Sequence, residues 1–250
     1  MLRMLLWAML IYLIMSMFLN RKMQAGNPLI DLVKKIKDRN EFFTAADELI
    51  ASDDVVTANK ARCVKLWGLT YHEEYDSFEQ LVNEINPDEL ISGDKITDNE
   101  DSFFYLLLGI PNMLAGKGRN EELKLLQEKM QPYREKLKNQ MVVLLSEGCD
   151  HMYAGEPEEG RKVFERILEG EYEGYSYNKQ LIGLYKQICA AELINIYKET
   201  GETEKIDDLK DLVQEFANSG VGQRWIANIG LADEFLTDSP EEDTESEGKE

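Results

Sequence analysis

Apolar and polar positions divide the chain into three regimes. Between Met4 and Leu19 the run MLLWAMLIYLIMSMFL carries no charge and no proline, so a helix there has no polar face for solvent. From about residue 28 onward, apolar residues return every three to four positions and period-two alternation is almost absent, which predicts helices rather than strands. Past Leu236 the apolar positions stop. The middle regime divides into helices expected near 28–38, 39–51, 55–73, 75–86, 99–116, 120–130, 132–154, 157–169, 176–200, 203–218 and 222–236. Breaks fall at Asn86-Pro87, Ser92-Gly93, Gly116-Lys117-Gly118, Gly155, Gly170, Gly174, Gly201 and Ser219-Gly220. The expected fold is all-α, and its short loops favour antiparallel neighbours.

The first regime is expected to anchor the chain in a membrane. Sixteen residues at the helical rise span roughly 24 Å, the short end of what a bilayer requires. A cleaved signal peptide would need a small-residue site after the apolar core. Here the core runs instead into Phe18-Leu19-Asn20-Arg21-Lys22. Only Arg3 precedes it, whereas Arg21, Lys22, Lys34, Lys35, Lys37 and Arg39 follow it. That asymmetry predicts a single-pass protein with its C-terminal domain in the cytoplasm. The basic residues are also suited to anionic lipid, although Asp31 and Asp38 dilute them. The expected organisation is an anchor over 1–22, juxtamembrane helices over 23–54, a helical-repeat domain over 55–236 and a disordered acidic tail over 237–250.

Within the third of these segments the helices come in pairs. The stretches YLLLGIPNMLAGKGRNEELKLLQEKM and VVLLSEGCDHMYAGEPEEGRKVFERIL share a long helix, a glycine turn and a charged amphipathic helix. Their turn glycines, Gly116 and Gly155, lie 39 residues apart, and Tyr153 lies 44 before Tyr197. Two helices per unit at such a spacing mark an α-solenoid. One unit carries Leu144, Gly148, Gly155, Gly160 and Phe164; others carry Tyr105, Leu108, Gly109 and Gly116, or Val64, Trp67, Gly68 and Tyr71, and a last keeps Tyr197 and Gly201. Over about residues 55–216 this pattern resembles a degenerate tetratricopeptide array. Glu147 stands where that family has leucine, Glu121 and Gln80 where it has alanine, and the spacing exceeds the family's period of about 34. An irregular helical bundle is the alternative.

The resemblance implies a concave face lined by the first helix of each pair. Its positions are Arg62, Lys65, Leu69 and His72, then Phe103, Leu106, Ile110 and Met113, then Val142, Leu145, Cys149 and Met152. Such a groove is basic at one end, apolar further on, and suited to an amphipathic helix of another protein. The competing occupant is the chain's own last helix, Gln223–Phe235, with Trp225 and Ile229.

Charge and chemistry narrow the function. A net charge of −20 excludes nucleic acid as a partner, because phosphates are repelled. Cys63, Cys149 and Cys189 form neither a disulfide framework nor a zinc spacing, which suits a reducing compartment. The two histidines, His72 and His151, belong to no His-Glu-x-x-His motif. Cys149 and His151 are two residues apart on one helix, so their side chains point roughly 200° apart. Gly116-Lys117-Gly118-Arg119 lacks the spacing of a phosphate loop and reads as a turn. The acids Glu73, Glu74 and Asp76, and those from Asp94 to Asp101, lack an EF-hand spacing and read as solvated charge. From Asp233 to Glu250, nine acids and one lysine make a stretch that cannot bury enough surface to order itself, and that suits a basic partner segment.

The expected function is a membrane-anchored adaptor that binds another protein, with no catalytic residues, metal or cofactor. Two alternatives stand beside it. One is an extracytoplasmic accessory or chaperone of secretion or envelope assembly; the other is an enzyme with scattered carboxylates.

Overall fold

The computed structural model describes residues 28–236 apart from 94 and 97. The anchor expected over residues 4–19 and the acidic tail lie outside the described residues. Among those described, no helix is long and apolar enough to cross a membrane, and no strand forms.

The described residues are all-helical, as the periodicity predicts. They begin with α1 (Pro28–Lys34), α2 (Arg39–Ile50) and α3 (Val55–Tyr71). Asp38 caps α2 by accepting the Glu41 amide, satisfying one of the donors a helix start leaves unpaired. Helices α2 and α3 pack as a hairpin. Gly68 permits it, since a Cβ there would collide with the buried Phe42 ring. The tetratricopeptide pattern pairs a first helix with the one that follows, so Gly68 is used backwards, towards α2.

Next come α4 (Phe78–Glu84) and a 3-10 turn at Pro87–Leu90. Then α5 (Glu100–Phe104), a π-helical segment (Tyr105–Gly109) and α6 (Ile110–Gly116) run as one rod, with right-handed helical dihedrals at each junction. The wide turn has a cause in the sequence. Pro111 offers no amide and crowds the carbonyl four residues back, and just before it the Ile110 amide reaches five residues back to Tyr105. Gly109 therefore sits in the widened turn, and the atoms nearest to a Cβ there belong to Phe104 and Tyr105 of the same rod.

α7 (Asn120–Lys136) continues through Pro132, where the pattern predicts a break; Pro132 is exposed. The chain actually breaks at 137–140, and there Ser176 pairs with the Asn139 carbonyl and the Met141 amide. That pairing holds 176–181 outside the helix expected over 176–200, which begins only at Ile182. α8 (Met141–Tyr153) and α9 (Pro157–Leu168) form the tightest hairpin. A Cβ on Gly148 would lie 2.6 Å from the Phe164 ring, and one on Gly160 would lie 3.0 Å from the Gly148 carbonyl. These are the two small positions singled out in the sequence. α10 (Ile182–Thr200) packs on α9 and ends at left-handed Gly201. After a 3-10 turn at Thr203–Lys205, α11 (Lys210–Ala217) packs on α10, and α12 (Gly220–Asn228) on α11, α6 and α10; α13 (Ala232–Phe235) closes the described chain.

Candidate functional site

The residues expected to line a concave groove are placed mostly inside the molecule. Leu69, Phe103, Leu106, Ile110, Met113, Val142, Leu145 and Cys149 are buried in the hydrophobic core. The basic end is committed too. Lys65 pairs with Asp47 of α2 at 2.5 Å, and the His72 imidazole meets the Ile36 carbonyl at 2.8 Å. Arg62 is half-buried, with its Nε enclosed and unpartnered. Part of the expected face is covered by the chain itself. α12 lies along α6, where Val221, Arg224 and Trp225 meet Trp67, Tyr105 and Met113. The Arg224 guanidinium sits 4.5 Å from the Tyr71 ring centroid and 5.0 Å from that of Trp67. Of the twelve positions, Met152 is half-buried and borders a cavity.

The thiol and imidazole near Gly148 do not meet. Cys149 is enclosed, and burial pushes its thiol pKa well above the usual range, whereas His151 pairs with Glu156 at 2.8 Å. Cys63 and Cys189 are likewise buried free thiols. Among the described residues, no group of His, Cys, Asp and Glu could hold a metal ion.

Two features remain. The first is a cavity of about 270 Å³ between α6, α8, α10 and α12, also bordered by the start of α7. Its buried wall holds Glu192 and Asn112, and its rim holds Gly116 and Asn120, both exposed. Asn195, Asn228 and Tyr153 complete the polar lining. Glu192 is 2% exposed and accepts a hydrogen bond from the Trp225 indole at 2.7 Å. Burial pushes its carboxyl from the ordinary range up to about 7, and the indole bond offsets this only in part. No ion pair among the described residues involves it. The Asn228 amide donates to the Asn112 carbonyl oxygen at 2.8 Å, and the enclosed Tyr153 hydroxyl lies beside the same Asn112 side chain without a well-formed hydrogen bond.

The second feature is a groove of about 480 Å³ over α10, between α9 and the segment leading into α11. Leu193, Tyr197, Leu168 and Leu209 make its apolar lining; Glu165, Glu169, Asp208 and Lys205 make its rim. One end is cross-linked. Glu165 accepts from Arg161 at 2.9 Å and from the Tyr197 hydroxyl at 2.8 Å, while Arg161 and Lys205 both hold Glu202. These two cations depress the Glu202 carboxyl to about 2. Glu169 and Asp208 are exposed and belong to no ion pair among the described residues.

Sequence reasoning missed Glu192, although a signal was present. Tyr185, Ile188, Glu192 and Ile196 recur at helical spacing, so Glu192 stands on the core-facing stripe of α10. It missed Glu100 as well. Read as solvated charge, Glu100 is 2% exposed and accepts from the Tyr185 hydroxyl at 2.6 Å and from the Asn178 amide at 2.7 Å. No family model, no curated protein and no solved structure matches the chain.

Proposed function

We propose that the chain is a helical-repeat adaptor, held at a membrane through residues 4–19, that binds a basic amphipathic segment of another protein from the cytoplasmic side and performs no chemistry. The observation that carries the reading is the groove over α10. An apolar floor of Leu193 and Tyr197 beside the unpaired acids Glu169 and Asp208 suits a helix with one apolar and one basic face. The net charge of −20 steers such a partner towards the molecule. The Gly148–Phe164 and Gly160–Gly148 approaches support a tetratricopeptide-like hairpin at α8–α9, and the solenoid reading extends that unit to its neighbours. The outer groove is taken as the docking surface because most of the residues expected on the concave face are enclosed by the chain's own helices.

The test uses the full chain in its membrane, with a photo-crosslinking residue at Leu168. We expect a crosslinked partner whose attachment site is a basic amphipathic segment, and its loss when Glu169→Lys and Asp208→Lys are combined. A crosslink unchanged by that double reversal overturns the groove as the docking site. A C-terminal reporter fusion tests topology. Activity of a reporter that works only after export moves the protein to the opposite side and favours the extracytoplasmic accessory.

A further inference from the structure

We propose that the cavity between α6, α8, α10 and α12 is a binding site for a small organic cation, one carrying a primary ammonium or guanidinium group, with Glu192 as its counter-ion. This site is separate from the groove over α10 and does not depend on the adaptor reading.

The charge of the lining selects a cation. Glu192 is the one formally charged residue in the lining, and everything else there is neutral. A carboxylate removed from water is costly unless a cation or several donors compensate it. Trp225 provides one neutral donor, and no lysine, arginine or histidine reaches the group. An incoming cation completes the pair.

The polar lining complements the cation's N–H donors. Asn120, Asn195 and Asn228 offer amide oxygens that accept from N–H groups, and the enclosed Tyr153 hydroxyl has only the Asn112 side chain near enough to engage it. An ammonium or guanidinium carries more N–H donors than one carboxylate can accept, so these oxygens take the remainder. The volume, about 270 Å³, sits near the lower end for small-ligand sites and admits a compact ligand. Access is from the exposed Gly116 and Asn120 at the rim. Gly116 also keeps this wall thin, since a Cβ there would lie 2.8 Å from Asn228.

The ionised form of Glu192 is the binding form, so affinity rises with pH. The other titratable groups facing it are Cys149 and Tyr153 from α8 and Cys189 on its own helix, all with pKa values raised by burial. They stay neutral across the range tested and leave Glu192 to set the profile.

The experiment is calorimetric titration of the detergent-solubilised full chain with methylguanidinium and butylammonium, and with N-methylurea as a neutral control. Saturable 1:1 binding of a cation at pH 8, at least tenfold tighter than the urea, is expected. Affinity should fall at least tenfold at pH 5.5. Glu192→Gln keeps an acceptor for Trp225 and should lose at least tenfold in cation affinity. Asn195→Leu, which removes one acceptor, narrows the cavity and leaves Glu192 in place, should weaken binding too and serves where Glu192→Gln does not fold. Absence of cation binding means the cavity holds only water, and overturns the proposal. So does urea binding of equal strength, or cation binding undiminished in the variants.

Discussion

The Trp225 indole donates to the Glu192 carboxylate across 33 residues of chain at 2.7 Å, tying α12 to the buried stripe of α10. This bond satisfies one carboxylate oxygen without neutralising the charge. The folded state therefore holds a proton that the unfolded chain has released, from the ordinary Glu value near 4.5 up to about 7. The stabilisation from that proton is complete below pH 4.5 and is lost as pH rises through 7. A shift of this size corresponds to about 3 kcal/mol. Urea midpoints measured from pH 4.5 to 8 should show wild type and Glu192→Gln nearly equal at the acid end. The variant should pull ahead by up to about 3 kcal/mol at pH 8. Parallel curves would show that Glu192 is not the titrating group.

Gly148 and Gly160 set the distance between α8 and α9. Gly148→Ala places a methyl group 2.6 Å from the ring of Phe164, which is fully buried and has nowhere to turn. The variant should lose about 1–3 kcal/mol in chemical denaturation. Gly183, near the start of α10, is the control, because a Cβ there meets nothing within 4 Å. Gly183→Ala should gain about 0.4–1 kcal/mol by narrowing the unfolded ensemble. Similar losses for both would mean that Gly148 is not a close-approach position.

Which of these features the sequence revealed follows from the range of the forces involved. Helix positions are local, so the starts of α2, α3 and α9 match the apolar periodicity within a residue. The break expected at Pro132 does not form because packing overrides local propensity: the buried Leu123, Leu126, Met130 and Arg134 carry α7 through the proline. The start of α10 is not legible in the sequence because Ser176 is held by Asn139 and Met141, a pairing between segments that no periodicity records. Gly148 and Gly160 were legible as small residues on facing positions, whereas Gly68 turns to the earlier partner Phe42. The candidate cavity was illegible for a stronger reason. Its lining comes from separate helices, so Glu192 becomes distinctive only when Asn112, Tyr153 and Asn228 arrive around it.

Asn59 is fully buried on α3 and clasps the backbone of Asn86 from both sides. Its amide donates to the Asn86 carbonyl, and its carbonyl accepts the Asn86 amide at 3.0 Å. Asn86 in turn caps the 3-10 turn through the Asp88 amide, so Asn59 holds the start of the 85–91 segment, while Asn99 holds its end through the Leu90 carbonyl. Asn59→Ala removes two hydrogen bonds and should cost about 2–3 kcal/mol. Amides of that segment, Ile91 included, should exchange faster through local opening. Asn59→Asp retains the acceptor but lacks the donor, and should fail to restore protection. Exchange unchanged in Asn59→Ala would show that the segment is held elsewhere.

Arg134 and Asp150 couple α7 to α8 with unequal exposure, their side chains being 10% and 27% accessible. Asp150 also accepts from Gln127 at 2.8 Å, while the Arg134 Nε has no partner. Removing the acid strands the more deeply buried charge. Asp150→Ala should therefore cost about 3 kcal/mol, because the enclosed guanidinium loses its direct partner and keeps only the more distant Glu147. Arg134→Met replaces that charge with an apolar side chain of similar length and leaves Asp150 with water and Gln127, so the loss should stay below about 1.5 kcal/mol. The double variant should be more stable than the sum of the single losses predicts, by about 1–3 kcal/mol, the coupling expected of residues in contact. Additive losses in the urea midpoints would mean the pair contributes nothing beyond its separate burial. A costlier Arg134→Met would place the stranded charge on the acid instead.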